Sequence, residues 1–257
     1  MIDTNVNLFR WPYRRVVGDD PETLATRLRA RGVTQAWACS YEALLCHDMA
    51  GVNLRLAKAC SQVGAGFFLP FGCVNPKLPA WQEDLRRCHE VHRMAGIRLF
   101  PNCHGYTLAE PESLELISEA SRRNLIVQIA LSMEDARTQQ NVIQPADPSP
   151  LADLLARNPR MQIMFLNYGA WTDDDASEAI ARIRKAENAY FEIAMNEGVG
   201  GLARLMAATS PSRVVFGSHA PFFYFESALL KVREAGLPAD QAMALLSGNA
   251  QSLLRSR

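Results

Sequence analysis

Apolar positions along this chain follow two alternating patterns. Short continuous runs are separated by longer stretches in which an apolar residue recurs every three or four positions. The opening run, Ile2-Asp3-Thr4-Asn5-Val6-Asn7-Leu8, departs from both. Ile2, Val6 and Leu8 can pack, while Asp3, Asn5 and Asn7 occupy every second position and so share one face of a strand. Three short polar side chains on one side of a core strand are costly unless they serve a site or meet water. The segment is therefore either the floor of an active site or a half-exposed edge strand.

The remaining elements follow in order. Asp20-Pro21-Glu22 starts a helix with Leu24 and Leu28 as its apolar stripe and Gly32 as its stop. Strand 35–39 is followed by helix 48–63, with Ala50, Leu54 and Ala57 on one face. Strand 67–74 ends at Asn75-Pro76, and helix 79–95 carries Trp81, Leu85, Cys88 and His92 at core spacing. Strand 96–100, helix 111–123 and strand 125–131 come next, then an irregular loop over 132–148. Helix 149–157, strand 162–166, helix 173–187, strand 190–193, helix 200–209, strand 213–217 and helix 222–234 complete the series. A helical pair over 238–254, around Gly248-Asn249-Ala250, closes the chain.

These are eight strand–helix units whose strands are continuous apolar runs, as in parallel strands buried on both faces. That order and size predict an α/β fold, a (β/α)8 TIM barrel with extra C-terminal helices, as one domain over residues 1–257. An open doubly wound sheet is the competing fold, but it wants a glycine-rich turn after the first strand, and none is present.

Composition narrows the partners. The 257 residues carry 27 basic and 27 acidic side chains, a net charge of zero, with no long basic run. This argues against nucleic acid or an anionic membrane as partner and leaves a small-molecule substrate. No signal peptide or membrane-length apolar run is read, and six scattered cysteines without a C-x-x-C pair point to reduced thiols in a cytoplasmic protein. Oligomeric state is not legible.

In such barrels the reactive groups lie at the C-terminal strand ends and the loops beyond them. Those ends hold Asp3, Asn5 and Asn7; Arg98, Asn102, His104 and Tyr106; Gln128 and Ala130; Asn167 and Tyr168; Glu192 and Asn196; Ser218 and His219. His104 and His219 are the two of five histidines that fall there.

The order of motifs resembles the amidohydrolase-related (amidohydrolase 2) family of metal-dependent hydrolase barrels. The residues that carry the likeness are Asp3-Thr4-Asn5-Val6-Asn7, Val74-Asn75-Pro76, Gly96-Ile97-Arg98-Leu99-Phe100-Pro101, Asn167-Tyr168-Gly169, Phe216-Gly217-Ser218-His219-Ala220-Pro221-Phe222 and Gly248-Asn249-Ala250. The resemblance implies a His-x-His after strand one, where this chain has Asn5 and Asn7. It implies histidines at Ala130 and Asn167 and an aspartate at His219. Every implied metal ligand is changed, so no metal site and no cofactor are expected, with zinc the disfavoured alternative.

Two readings of function follow. In the first, the chain is a metal-independent hydrolase of a small polar or carboxylate-bearing molecule (lactone, ester or amide), as some relatives in the superfamily are. His219 is the acid–base group with Asn5 and Asn7 beside it. Arg98, Arg14, Gln128, Asn167, His104 and Tyr106 bind the substrate. In the second, the barrel is a non-catalytic, ligand-binding pseudoenzyme. A minor third is a metal-dependent hydrolase or decarboxylase rebuilt on Asp3, His104 and His219. An enzyme needs His219 within reach of solvent and of a pocket shared with Asn5 and Arg98; a binder needs only a pocket. Trp11-Pro12-Tyr13-Arg14-Arg15 reads as a lid or a subunit contact.

Overall fold

Eight parallel strands hydrogen-bond in sequence order, β1 to β8, with helices between them. The computed structural model describes residues 1–64, 66–135, 143–169, 171 and 177–256. The strands are β1 (Ile2–Leu8), β2 (Gln35–Ser40), β3 (Phe68–Cys73), β4 (Gly96–Leu99), β5 (Ile126–Ala130), β6 (Ile163–Leu166), β7 (Ala189–Glu192) and β8 (Val214–Val215). The ring closes where Thr4 N donates to the Phe216 carbonyl and Asn7 N to the Ala220 carbonyl, both at 2.9 Å. The fold is a (β/α)8 TIM barrel with C-terminal helices, as the β/α alternation predicts.

The helices wrap it in order: α1 (Pro21–Ala30), α2 (Met49–Gln62), α3 (Trp81–Arg86), the short α4 (Pro101–His104), α5 (Pro111–Arg122), α6 (Leu151–Arg157), α7 (Glu178–Lys185), α8 (Gly201–Ala208) and α9 (Phe225–Glu234). After them come α10 (Ala239–Met243) and α11 (Asn249–Arg255). The α1 cap works as its sequence suggests, the Asp20 carboxylate accepting from Thr23 N at 2.8 Å with Leu24 and Leu28 buried. Outward strand residues such as Val6, Leu99, Ile129 and Phe165 pack under the helices, while Ile2, Trp37, Phe71, Met164 and Val215 form a separate apolar cluster with Leu253 of α11.

Several local expectations are corrected. α2 buries Val52, Asn53, Leu56, Ala59 and Cys60, and Leu54 is 42% exposed rather than core. Asn53 decides the face: its carboxamide makes two 2.8 Å bonds to the backbone of Cys73 and so pins α2 to β3. The third helix is straight only over Trp81–Arg86 and then widens over Arg87–Val91, which leaves His92 half-buried while Trp81, Leu85 and Cys88 are buried. α9 begins at Phe225, because Phe222 N and Phe223 N both fold back onto the His219 carbonyl. β8 is two residues long, since the chain leaves the ladder to form that corner. α7 starts at Glu178, capped by the Ser177 hydroxyl; residues 173–176 of the expected helix and 136–142 of the expected loop lie outside the described residues.

β1 is buried along its whole length, so it is not an edge strand. Its pairing with β2 gains one extra residue between Asp3 and Val6, a bulge that breaks the strict alternation. Asp3 turns toward β8, while Asn5 and Asn7 turn toward Arg98 of β4.

The close fit of β3, β4 and β5 gives a test. A Cβ on Gly96 would overlap the Ile126 carbonyl oxygen and lie 2.5 Å from the Phe71 ring. Neither the strand carbonyl nor a ring stacked on Trp37 can withdraw. Gly96→Ala is therefore expected to cost about 3 kcal/mol, read as a lowered thermal midpoint.

Candidate functional site

Arg98 stands at the centre of the barrel's inner polar layer, 1% exposed. Its Nε donates to Gln128 Oε1 at 2.8 Å. Nη1 donates to Asn7 Oδ1 at 2.8 Å, to the Val6 carbonyl at 3.0 Å and to Asn5 Oδ1 at 3.4 Å. Nη2 donates to the carbonyls of Thr4 at 3.4 Å and Trp37 at 3.3 Å. Gln128 Nε2 reaches the Thr4 carbonyl at 2.9 Å. A guanidinium stays charged in a protein, and this one is surrounded by oxygens. It makes no ion pair with Asp3 or Glu192; it meets neutral oxygens instead.

From Arg98 the bonds run to His219. Asn5 Nδ2 donates to Asn167 Oδ1 at 2.7 Å and to Glu192 Oε2 at 3.1 Å. The His219 Nε2 lies 2.9 Å from the Met133 carbonyl, which only accepts, so Nε2 carries the proton. Nδ1 is then the lone-pair nitrogen, and it lies 3.5 Å from the Nδ2 atoms of both Asn7 and Asn167. Burial, with the Arg98 charge nearby, pulls the His219 pKa down to about 4, so the ring is neutral at pH 7. His219 and Asn167 both hold left-handed backbone, at φ 56° and 58°, a conformation that costs a histidine more than an asparagine.

Two carboxyl groups complete the layer. Asp3 accepts from Ser218 N at 3.0 Å and from Ser218 Oγ at 2.5 Å, and burial raises its pKa to about 6. Glu192 accepts from Asn167 N, Asn5 Nδ2 and Ala194 N, yet burial raises its pKa to about 7. Gly217 makes room for it: a Cβ there would lie 2.5 Å from Glu192 Oε1.

The expected site residues divide in two. His219, Asn5, Asn7, Arg98, Gln128 and Asn167 come together as one bonded set. His104, Tyr106 and Arg14 stand apart. His104 Nε2 donates to the Ala43 carbonyl at 2.8 Å. Tyr106 packs in the apolar core with no acceptor for its hydroxyl among the described residues. Arg14 lies outside the barrel, stacked on Phe222 with 4.8 Å from its guanidinium carbon to the ring centre.

The bonded set is closed off. Asn5, Asn7, Arg98, Gln128, Asn167, Glu192 and His219 are all at most 1% exposed. Trp11, Tyr41, Phe100, Met133 and Phe222 pack together in one apolar cluster, and the His219 ring packs against both Phe222 and Phe223 at centroid distances of 5.4 and 5.3 Å. Glu192 joins the set although it is not among the expected site residues; an acid ending the apolar run Ala189–Glu192 is its signal. The Met133 carbonyl had no signal, because any residue supplies one.

The resemblance implies a divalent metal at this place, and the residues present do not fit one. Among the described residues no three His, Cys, Asp or Glu side chains gather as a ligand set. The carboxamide oxygens of Asn5 and Asn7 face a guanidinium, so a second cation beside them would meet repulsion. A set rebuilt on Asp3, His104 and His219 is not assembled, since these bond to Ser218, Ala43 and Met133 respectively.

Two outcomes are expected. Protein dialysed against a chelator keeps its thermal midpoint, and added zinc or manganese binds below stoichiometric level by elemental analysis. The second concerns pH. Glu192 ionises at about 7 when folded and 4.5 when unfolded, so its contribution is full below pH 4.5 and lost as pH rises through 7. Asp3 acts in the same direction through about 6, and His219 in the opposite one, losing its contribution as pH falls through about 4. Denaturant titrations from pH 5 to 8 are therefore expected to show stability falling with pH. Glu192→Gln removes a loss on the order of 3 kcal/mol, which the opposing His219 contribution partly masks, and should abolish that fall.

A family model described as Amidohydrolase matches residues 8–256. No curated protein matches the sequence. Among solved structures, the chain is similar to a 5-carboxyvanillate decarboxylase from Sphingomonas paucimobilis, at 15% identity and TM-score 0.75, covering 99% of this chain and 98% of that one. A putative 2-pyrone-4,6-dicarboxylic acid hydrolase from Pseudomonas putida matches at 16% and 0.71, covering 100% and 97%. A dihydroxybenzoic acid decarboxylase from Polaromonas, with bound manganese and the inhibitor 2-nitroresorcinol, matches at 15% and 0.69, covering 90% and 84%. At these identities the likeness to the solved structures is one of fold. The family match spans nearly all of the chain, and the chain belongs to the amidohydrolase family.

Proposed function

We propose that this chain is a non-catalytic member of its family that binds a small carboxylate-bearing molecule. One observation carries the reading: the inner polar layer is buried and its hydrogen bonds run to the protein itself. An acid–base group must reach the proton it moves. His219 donates Nε2–H to a backbone carbonyl, turns Nδ1 to two carboxamides, and has no exposed surface. Arg98 cannot take a substrate carboxylate without giving up oxygens it already holds, and a buried guanidinium left short of acceptors is costly. The carboxylate class has support from the named activities of the structural neighbours, which act on carboxylated aromatics or a pyrone dicarboxylate.

A second reading has its own observation. The unprotonated Nδ1 of His219 faces Asn7 and Asn167 at strand C-terminal ends, the arrangement of a general base beside two donors. Hydrolysis or decarboxylation would then follow displacement of the Trp11 and Phe222 cover.

Assays of dihydroxybenzoate decarboxylation and pyrone-dicarboxylate hydrolysis separate the two, each with and without added manganese or zinc. The expected result is conversion no faster than in buffer. Metal-independent turnover that falls by about two to four orders of magnitude in His219→Asn would establish the second reading instead.

A further inference from the structure

A cavity of about 350 Å³ lies outside the barrel, between α1 and the corner that follows β8. Four arginines line it: Arg14, Arg15, Arg27 and Arg31. Two are matched by acids, Arg15 by Asp19 at 3.5 Å and Arg31 by Glu226 at 2.5 Å. Arg27 donates Nη1 to the Val17 carbonyl at 2.9 Å, and the Arg14 guanidinium lies over the Phe222 ring. Among the described residues neither has a carboxylate within ion-pair distance. Arg27 and Arg14 act through space on the carboxylates of Glu226 and Glu134 respectively.

The opposite wall is apolar and aromatic. Phe222, Phe223 and Phe225 follow one another along it, and Val17 and Tyr224 stand at its rim, 82% and 80% exposed. Exposed apolar surface beside unmatched guanidinium groups calls for a ligand with a flat apolar body and an anionic end. Phe222 connects this place to the closed mouth, its ring centre 4.9 Å from Trp11 and 5.4 Å from His219.

We infer that this cleft is a binding site for a small aromatic carboxylate, the carboxylate held by Arg14 and Arg27 and the ring laid against Phe222 and Phe223. The inference rests on the binder reading above, to which it gives a place and a ligand class. Arg14 suits the role, since its guanidinium carbon lies 4.8 Å from the Phe222 ring centre and no carboxylate among the described residues is within ion-pair distance of it. The size suits it too, because a cavity near 300 Å³ holds a single substituted ring.

Calorimetric titration of the full chain with benzoate tests it, with benzamide and inorganic phosphate as comparison probes. Benzoate is expected to bind, and benzamide to bind about tenfold to a hundredfold more weakly, the worth of a charge-assisted pair. Arg14→Gln is expected to weaken benzoate to the same degree. Arg29→Gln, which removes an arginine stacked on Phe67 elsewhere on α1, should not. Arg14 is exposed, so its substitution leaves folding intact. Absence of benzoate binding overturns the proposal, as does benzamide binding equally well or Arg14→Gln binding unchanged. Phosphate matching benzoate makes the cleft a general anion site and overturns the aromatic class. Crystals soaked in benzoate check the place: a carboxylate at His219 and Arg98 instead of Arg14 and Arg27 refutes the cleft, whatever the turnover assays give.

Discussion

A guanidinium buried at the centre of a barrel must be surrounded by oxygens, and this requirement organises the interior. Arg98 draws acceptors from β1, β2 and β5: the Asn5 and Asn7 carboxamides, the carbonyls of Thr4, Val6 and Trp37, and Gln128. An isolated buried charge is untenable, and removing any one acceptor leaves it short. The bulge in β1 has a physical role in this. It supplies the extra residue that sends Asp3 to Ser218 while Asn5 and Asn7 point at Arg98.

The same requirement bears on the chemistry. A metal-binding barrel mouth gathers nitrogen and carboxylate ligands around an open position. Here Asn5 and Asn7, which stand in two of the implied ligand positions, are neutral and short, and they turn their oxygens to a cation the protein itself supplies. With that charge internal, an aspartate at position 219 would add a third buried carboxyl to Asp3 and Glu192, both already raised in pKa by burial. A neutral imidazole avoids that cost. Its left-handed backbone and its bond to Met133 hold it against Phe222 and Phe223, the rings that extend from the mouth to the arginine cleft.

Local pattern along the chain is enough for the barrel. Eight apolar runs alternating with helical spacing, without a glycine-rich turn after the first, favour the barrel over an open sheet, and the cap at Asp20 and the stops at Gly32 and Asn75-Pro76 are local signals that need no distant partner. It also picked out most of the inner polar layer, because the ends of parallel strands are countable and polar residues there stand out against apolar runs.

What those residues do depends on contacts across the barrel. Leu54 and Asn53 are adjacent, and helical spacing alone favoured the leucine; the bonds from Asn53 to Cys73 on another strand turned the helix the other way. His104 and His219 look alike as strand-end histidines. One found the Ala43 carbonyl and the other the Met133 carbonyl, partners with no side-chain signature in the sequence. Arg14, Arg27 and Phe223 lie on different segments, and their convergence on one cleft depends on how α1 packs against the corner after β8. Local pattern fixes which residues are polar and where strands end. Which polar groups satisfy one another, and which are left free for a ligand, depends on distances across the barrel that no spacing along the chain encodes.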